Sequence, residues 1–389
     1  MFDLTDVQKQ IVVMAQEFAD AQLWPHAATW DLAATFPKDV LLDAAKLGFA
    51  GLFARDDIGG SHLSRLDAAL IFESLATGCV STSAFLSIHN MVLSLVDQYA
   101  TAEIRSHWGP RLAQFSAIGS YCLTEPQSGS DAASLQSKAI DCGDHYLVNG
   151  SKAFISGAGV SDVYVSMLRT SDEGYRGISC FFIPKDLEGV RFGQKEIKMG
   201  WRNQPTAMVY FENCKLPKSH VMGELGMGFR YALQALNGGR INISACSLGG
   251  AKRALIQTEA YMRERSQFKQ YLKDMPALRQ TFAKMLTQYE ASKTLLLKAA
   301  SSLDAGARSA PRYCAMAKQF VTESCTAIVN QAIQLHGGYG YLHDYQVERI
   351  YRDIRVHEIL EGSNQIMNEI IAKAVLDDEQ DWNNEWSRT

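Results

Sequence analysis

The carboxylate of Glu361 stands between Leu360 and a Gly-Ser-Asn sequence, in a segment that reads ILEGSNQ. A carboxylate in apolar surroundings is costly unless it is neutralised or paired. Burial can also raise the pKa of a glutamate to about 6 to 7, where it works as a base near neutral pH. The competing interpretation is that Glu361 pairs with Arg352 or Arg355, or reaches solvent, and spacing alone favours it.

Residues 121–131 read YCLTEPQSGSD and are a second candidate for chemistry. The pattern predicts a strand that enters a turn, whose hydroxyl and backbone N–H groups could hydrogen-bond a flat polar ligand or a phosphate. Residues 154–156, Phe-Ile-Ser, place an aromatic ring and a hydroxyl beside a Gly-Ala-Gly turn. Taken separately, such segments are more often a capped surface turn and a core aromatic. No G-x-G-x-x-G follows a strand, which argues against a Rossmann-type site.

Two further segments interrupt helical patterns with glycines. One is residues 237–240, Asn-Gly-Gly-Arg, where each glycine costs about 1 kcal/mol relative to alanine. Close approach of the backbone to a ligand and tight crossing of two helices explain these glycines about equally well. Residues 334–338, QLHGG, end another helix, as glycines do at many helix C-termini. The histidine there has no partner at metal-ligand spacing, so no metal site is expected.

The elements that position these segments change from helical to β and back. Residues 1–118 have helical periodicity, with a capping box at Thr5 to Gln8 and helices over 38–47, before Gly48, and over 65–76. Residues 119–228 contain strands, and residues 229–389 contain long helices. The helices are predicted over 233–255, 285–303, 316–335 and 347–375. We therefore predict a mainly α protein with three domains, at 1–118, 119–228 and 229–389.

The middle domain is predicted to be a small antiparallel β domain. Residues 145–148 and 152–155 have the composition of strands. Asn149-Gly150 lies between them and is typical of a two-residue turn of the primed type. The pattern therefore predicts a β-hairpin at this point.

Composition excludes several classes of partner. The 389 residues carry a formal net charge of −4 and no long run of Lys or Arg, so neither nucleic acid nor an anionic membrane surface is expected. The eight cysteines are scattered without a C-x-x-C, as in a protein of a reducing compartment. The N-terminal residues resemble neither a signal nor a transit peptide, and no apolar run reaches the length of a membrane span. A cytoplasmic protein is expected, with a processed organellar form as the alternative.

Taken together, the quoted segments resemble the acyl-CoA dehydrogenase family. The resemblance rests on YCLTEPQSGSD, NGSKAFISGAG, FENCKLP, LNGGRINISACSLGGA, RSQF, QLHGGYGY and RDIRVHEILEGSNQ, in this order and at similar spacings. It covers the chain from the first helix to about Leu376. It implies that family's fold, with an N-terminal helical domain, an antiparallel β domain and a C-terminal four-helix bundle, and FAD as the cofactor.

The resemblance also implies roles for single residues. Glu361 matches the catalytic base. The positions that match substrate contacts are Ser130, Asn237, Gly238, Gly239, Arg240 and Gly362. The positions that match FAD contacts are Tyr121, Cys122, Leu123, Thr124, Ser128, Gly129, Ser130, Phe154, Ile155, Ser156, Arg265, Gln334, Leu335, His336, Gly337, Gly338, Ser363, Asn364 and Gln365. Among these, Arg265 and 334–338 match contacts to the FAD of a neighbouring subunit.

One check and three departures accompany the resemblance. Some family members carry their base on the helix near residues 237–240, but residues 229–243 contain no acid here, which leaves Glu361. Gln127 stands where the family usually has Gly, Pro276 where a FAD-contacting Gln is frequent, and Lys284 where an Asp is usual. The last two bear on the FAD site between subunits.

The function that the resemblance implies is FAD-dependent α,β-dehydrogenation of a short branched-chain acyl-CoA. Electrons would pass to an electron-transfer flavoprotein, and the assembly would be a homotetramer built as a dimer of dimers. A straight short-chain or 2-methylbutyryl substrate is an alternative, as is a flavin oxidase or monooxygenase on the same scaffold. A non-catalytic FAD-binding protein is the interpretation from a different class.

Overall fold

The computed structural model of the protein describes residues 4–376 and begins with a layer of helices. The helices are α1 (Asp6–Phe18), α2 (Trp24–Ala33), α3 (Lys38–Lys46), α4 (Arg65–Gly78), α5 (Val80–Tyr99) and α6 (Ala102–Ala113). The predicted capping box is confirmed, since Thr5 Oγ1 accepts from the Gln8 backbone N–H and Gln8 Oε1 accepts from that of Thr5. Helix α3 ends where predicted, before Gly48, which has a left-handed φ of 82°.

A sheet follows the helical layer. Its strands are β1 (Gly119–Cys122), β2 (Lys138–Asp141), β3 (His145–Ser156), β4 (Val163–Arg169), β5 (Ile178–Pro184), β6 (Val190–Phe192), β7 (Thr206–Pro217) and β8 (Val221–Met222). The order is β6-β7-β3-β2-β4-β5-β8, with β1 also pairing with β4. Both β1 and β2 run parallel to β4, so the sheet is mixed and not purely antiparallel as predicted. The chain forms the antiparallel β2–β3 pair between β1 and β4 and then returns in the direction of β1.

The predicted hairpin at Asn149-Gly150 is wrong. Strand β3 continues through these residues, and both of its halves pair with β7. The register shifts between Val148 and Gly150, so the two residues form an irregularity in the ladder instead of a turn. Gly150 has a φ of 145°, and the Asn149 side chain accepts a hydrogen bond from the Asn213 backbone N–H at 2.8 Å. The long partner strand therefore overrides the local turn signal.

The remainder of the described chain is helical apart from a short hairpin. The helices are α7 (Gly228–Glu264), α8 (Pro276–Asp304), α9 (Ala310–His336), α10 (Val347–Arg355) and α11 (Asn364–Leu376), and the hairpin strands are β9 (Ser266–Gln267) and β10 (Gln270–Tyr271). Helix α7 runs without a break through Asn237-Gly-Gly-Arg240. The single helix predicted over 347–375 is wrong, because α10 and α11 are separated by a break at 356–363 that contains Glu361.

Three buried apolar clusters hold these layers together. The first joins the N-terminal helices to α7–α10, the second joins α5 and α6 to the sheet and the start of α7, and the third lies among the strands. The mainly α fold with a middle β part is confirmed. The exact domain boundaries stay a prediction, and residues 377–389 of the third domain lie outside the described chain. None of the helices within residues 4–376 could cross a membrane.

Candidate active site

Glu361 lies in the break between α10 and α11, in an unusual backbone conformation. Its φ is 58° and that of Gly362 is 89°, so two consecutive residues are left-handed. A side chain other than glycine pays strain in this region, which persists only where the surrounding structure over-determines it. Ser363 ends the break, since its hydroxyl accepts from the Ile366 backbone N–H at the start of α11. The break turns the glutamate out of the helical path and toward α7.

Gly239 on α7 leaves the space that the Glu361 carboxylate occupies. A Cβ at this position would lie 2.5 Å from Glu361 Oε2 and 2.7 Å from its Cδ. The neighbouring Gly238 leaves space for another charged group, because a Cβ there would lie 2.5 Å from a guanidinium nitrogen of Arg65. The two glycines in the helix are therefore explained by side chains of the site that lie directly against the helix backbone.

The Glu361 carboxylate has a buried oxygen without a hydrogen-bond partner within residues 4–376. This oxygen, Oε2, has no solvent contact. Burial raises the pKa of Glu361 to about 7, against the opposing effect of Arg240 and Lys318. The pairing with Arg352 or Arg355 is wrong, because Arg352 binds Asp31 and Glu348 at 2.6 Å each, and Arg355 lies 3.6 Å from Glu358.

Two cations hold the main chain around Glu361 and leave its carboxylate free. Arg240 Nε donates to the Glu361 carbonyl at 3.2 Å, and Arg240 also donates to Asn237 Oδ1 at 2.8 Å. Lys318 Nζ donates to the Gly362 carbonyl at 2.8 Å. Lys318 was not predicted as a site residue. Its signal in the sequence is a lysine on the apolar stripe that α9 otherwise forms with Cys314, Val321 and Cys325.

The segment 121–130 is anchored by a buried ion pair that sequence reasoning also missed. Lys152 on β3 is fully buried and donates to Glu125 Oε1 at 2.7 Å and to the Leu123 carbonyl at 3.2 Å. Glu125 also accepts from the backbone N–H groups of Gln136 and Ser137. The Ala153 N–H donates to the Thr124 carbonyl at 2.9 Å. The predicted flavin segment and the strand that carries Phe154 are therefore held side by side.

The residues exposed by this arrangement fit a flat ring with polar edges. Phe154 is 71% exposed and left-handed, with a φ of 58°, so an aromatic ring is held away from the core at a strained position. Within residues 4–376 the hydroxyls of Thr124 and Ser156 make no hydrogen bond, and the buried Tyr121 hydroxyl has no partner. Burial raises the pKa of Tyr121 well above its usual value, and the nearby charge of Glu361 adds to this effect. An isoalloxazine ring meets these requirements.

Other predicted residues of the flavin segment are placed differently. Cys122, Leu123 and Ile155 are buried in the apolar clusters, so only their backbone groups can contact a ligand. Ser128 is also buried, and its hydroxyl donates to the Asp131 carbonyl at 2.5 Å. Gly129 and Ser130 are exposed. The departure at Gln127 is accommodated locally, since its side chain donates to Glu125 Oε2 at 2.8 Å.

The predicted residues after Gly362 belong mainly to the start of α11. The Asn364 side chain is buried and committed, since Oδ1 accepts from Lys318 and Nδ2 donates to Thr322 Oγ1 at 3.1 Å and Glu323 Oε1 at 3.0 Å. Gln365 is exposed. A contact of Asn364 with FAD would therefore have to use the backbone.

The remaining predicted FAD contacts form a separate groove. Arg265 and residues 334–338 line a cavity of about 620 Å³ together with Tyr261 and Tyr339. Leu335 and His336 are buried in its wall, where His336 stacks on Tyr261 at 4.5 Å, whereas Gln334, Gly337 and Gly338 are exposed. Neither Glu361 nor the segment 121–130 lines this groove. One chain therefore contributes two spatially distinct sets of the predicted residues.

The departures near this groove do not disturb it. Pro276 is the first residue of α8, a position where proline is favoured because the missing N–H would be unbonded. Lys284 is exposed on the same helix. Within residues 4–376, no group of three or more His, Cys, Asp or Glu residues is arranged to hold a metal ion.

Comparison with known proteins covers the same three parts of the chain. The N-terminal, middle and C-terminal domains of acyl-CoA dehydrogenases match residues 5–116, 120–214 and 226–376. The chain is 50% identical over 377 residues to "Isobutyryl-CoA dehydrogenase, mitochondrial" of Dictyostelium discoideum, covering 97% of this chain and 91% of the relative. The protein of the same name from Bos taurus is 47% identical over 373 residues, covering 96% and 90%. The solved butyryl-CoA dehydrogenase of Megasphaera elsdenii superimposes with a TM-score of 0.93 at 31% identity, covering 97% of this chain and 100% of that one.

Proposed function

The chain belongs to the acyl-CoA dehydrogenase family, and we propose that within it the protein oxidises isobutyryl-CoA to methacrylyl-CoA, a step of valine degradation. Enzymes of this family are FAD-dependent oxidoreductases that act on acyl-CoA. The observation that carries the assignment of the base is the Glu361 carboxylate, buried and unbonded with a pKa of about 7. The acyl preference is supported by the two relatives of 50% and 47% identity, which are named for isobutyryl-CoA.

Glu361 removes the α proton of the thioester in the proposed reaction. A pKa near the working pH is the condition under which a general base combines a large ionised fraction with useful basicity. FAD, when bound beside Phe154, Thr124 and Ser156, supplies the acceptor for the β hydrogen, which leaves as hydride. The α proton and the β hydride together account for the two hydrogens lost when the double bond forms.

The backbone around Glu361 stabilises the charge that develops on the thioester oxygen. The N–H groups of Glu361 and Gly362 make no hydrogen bond within residues 4–376. The left-handed conformation of both residues leaves these donors outside any helix. Losing one such donor typically costs about 3 to 4 kcal/mol of transition-state stabilisation. Arg240 and Lys318 hold the carbonyls of the same two residues, so the donors are fixed before substrate arrives.

The remaining binding roles follow from the positions described above. We assign acyl-CoA contacts to Ser130, to Gly362 and to residues 237–240, where Arg240 and Asn237 face the Glu361 segment. The groove of Arg265 and residues 334–338 is assigned to the FAD of a neighbouring subunit in a homotetramer. Its separation from Glu361 and its open, cationic and aromatic lining support this role.

The reduced flavin is proposed to pass its electrons to an electron-transfer flavoprotein. The compartment is proposed to be the mitochondrial matrix or the cytoplasm of a bacterium; the names of the two relatives include the word mitochondrial. An oxidase would instead return the electrons to O2. Rapid reoxidation of the substrate-reduced protein in air would therefore favour the oxidase alternative.

Anaerobic titration of the purified holoenzyme with acyl-CoA thioesters tests the proposal. Isobutyryl-CoA is expected to bleach the flavin faster than 2-methylbutyryl-CoA or butyryl-CoA. Faster bleaching by another thioester would change the substrate and keep the reaction. Failure of every thioester to reduce a fully loaded flavin would leave only a binding role and would overturn the proposed function.

A further inference from the structure

Lys318 is a fully buried cation that binds no carboxylate. The residue is 0% exposed on α9. Its Nζ donates two hydrogen bonds of 2.8 Å, to the Gly362 carbonyl and to Asn364 Oδ1. Within residues 4–376 no Asp or Glu oxygen lies within ion-pair distance of it. Burying a charge is costly unless it is paired or hydrogen-bonded, so the two neutral oxygens must stabilise this ammonium group.

The two acceptors of Lys318 lie on either side of Ser363, where the chain changes from the break to α11. Asn364 is fixed in turn to α9 through Thr322 and Glu323. On the opposite side, Arg240 of α7 binds the Glu361 carbonyl. The strained, left-handed segment is thus held between two helices by cations that bond to main-chain oxygens. The carboxylate between them remains without a bonded partner.

We propose that Lys318 is a positioning residue for Glu361, with two effects that share one ammonium group. The first is mechanical, because the bond to the Gly362 carbonyl fixes the direction of the Glu361 side chain and of the adjacent N–H groups. The second is electrostatic, because the charge lies close to the carboxylate without bonding to it and favours its ionised form. The proposal rests on the proposed function, in which Glu361 must be ionised to accept a proton.

The charges around Glu361 set the sign of the expected effect. Burial raises the pKa of Glu361, whereas Arg240 and Lys318 lower it. Burial and Lys318 together lower the pKa of His357 to about 3, so this imidazole is neutral near pH 7. The other titratable or charged groups near Glu361 or Lys318 are Arg65, Tyr121, Cys314, Glu323 and Glu358. Removing Lys318 deletes one of the two cations that favour ionisation, so Glu361 should ionise at higher pH.

The test follows the ionisation of Glu361 in the Lys318→Met holoenzyme by two routes. The infrared band of the protonated carboxyl, isolated by subtracting the Glu361→Gln spectrum, reports the titration without any reaction. The rate of flavin reduction by isobutyryl-CoA reports it through the chemistry. Both midpoints are expected to move up by about one pH unit. The rate at pH 7 should then fall about fivefold, because the ionised fraction of Glu361 falls from about one half to about one tenth. Lys318→Arg, which keeps the charge, should return both midpoints toward the wild-type value.

A matched control is Lys293→Met, which removes a lysine of the neighbouring helix α8. Lys293 donates to Glu73 at 3.0 Å, and within residues 4–376 it makes no hydrogen bond or ion pair with the Glu361 segment. This variant should leave both midpoints unchanged. If Lys318→Met does not fold, Lys318→Gln carries the same test, because its amide can still donate to the Gly362 carbonyl while the charge is gone.

Unchanged midpoints in a folded, FAD-loaded variant that lacks the charge of Lys318 would overturn the proposal. Its failure is distinguishable from failure of the proposed function. If wild-type flavin is not reduced by any acyl-CoA, the function is wrong, yet the infrared titration still decides whether Lys318 controls Glu361.

Discussion

Two buried lysines of this protein bind opposite kinds of hydrogen-bond acceptor. In the β domain, Lys152 donates directly to the Glu125 carboxylate, which also accepts from backbone N–H groups. In the helix bundle, Lys318 donates to neutral oxygens and leaves Glu361 unbonded. The pKa of Glu125 is lowered, since Lys152 and the N–H donors outweigh the effect of burial, whereas burial raises that of Glu361 to about 7. The carboxylate that anchors the strands is fully bonded, and the one proposed to take a proton is not.

The largest expected effect comes from removing the unbonded carboxylate. Glu361→Gln should lower the rate of flavin reduction by about 10² to 10⁴-fold, because this is the typical contribution of a general base. FAD content and the circular dichroism spectrum should stay unchanged, since Oε2 makes no bond that the fold needs. The measurement is stopped-flow flavin bleaching. Turnover above a few per cent of the wild-type rate would exclude Glu361 as the base.

Breaking the fully bonded pair should instead damage the fold. Lys152→Met leaves Glu125 buried without its cation, which typically costs about 3 to 5 kcal/mol. The free energy of unfolding in urea and the retained FAD should both fall, because the pair anchors the flavin segment. The double variant Lys152→Met with Glu125→Gln is the control, and it should recover part of the loss. Equal stability of the single variant and the wild type would contradict a clamping role.

The ionisation of the unbonded Glu361 carboxylate should also change the free energy of unfolding with pH. The folded-state pKa of Glu361, about 7, lies above the usual value of 4.5. As pH rises, Glu361 therefore ionises at a lower pH in the unfolded chain than in the folded protein, and this stabilises the unfolded chain relative to the folded state. Between pH 4.5 and pH 7, the free energy of unfolding of the wild type should therefore fall by about 3 kcal/mol relative to that of Glu361→Gln. Little further change is expected above pH 7. Urea unfolding of both proteins across this range measures the difference. A constant difference would mean that Glu361 is not destabilised by burial.

The smallest of these effects is expected from crowding the carboxylate. Gly239→Ala introduces a Cβ 2.5 Å from Glu361 Oε2, which forces the carboxylate to move. The flavin reduction rate should fall about 10- to 100-fold, as small misplacements of reacting groups can cost. The melting temperature should change little, because the new Cβ would clash with the Glu361 side chain and not with the backbone of a neighbouring element. A rate within twofold of wild type would show that the position of the carboxylate is not critical.

The sequence predicts local features of this fold well and fails where distant partners decide. The capping box at Thr5 and the helix end before Gly48 depend on neighbouring residues only, and both are confirmed. At Asn149-Gly150 the local turn signal is as clear, but β7 pairs with both flanking segments and the turn does not form. The break at Glu361 is different, because Gly362 and Ser363 are local signals of a helix end and a helix start, which the predicted helix over 347–375 does not use. The left-handed φ of the glutamate itself has no local signal.

The candidate site shows the same limit. Glu361 and the flavin segment are recognised from motifs, whose roles stay predictions, but motifs do not show which groups support them. Lys152 and Lys318 look like ordinary charged residues until the fold reveals that each is fully buried. The reason for Gly239 is equally invisible, since its neighbour in space lies more than a hundred positions later in the chain.

The missing side chain at Gly239 has a stereochemical consequence. The backbone of α7 lies directly behind the Glu361 carboxylate, so a thioester can reach the carboxylate only from the other side. With the proposed base fixed on one side, the α carbon of an isobutyryl chain would be held in one orientation, and only one of its two enantiotopic methyl groups would face the bound flavin that accepts the hydride. Desaturation would then occur in one methyl group only, and an isobutyryl thioester made chiral by isotopic labelling would yield a single labelled alkene.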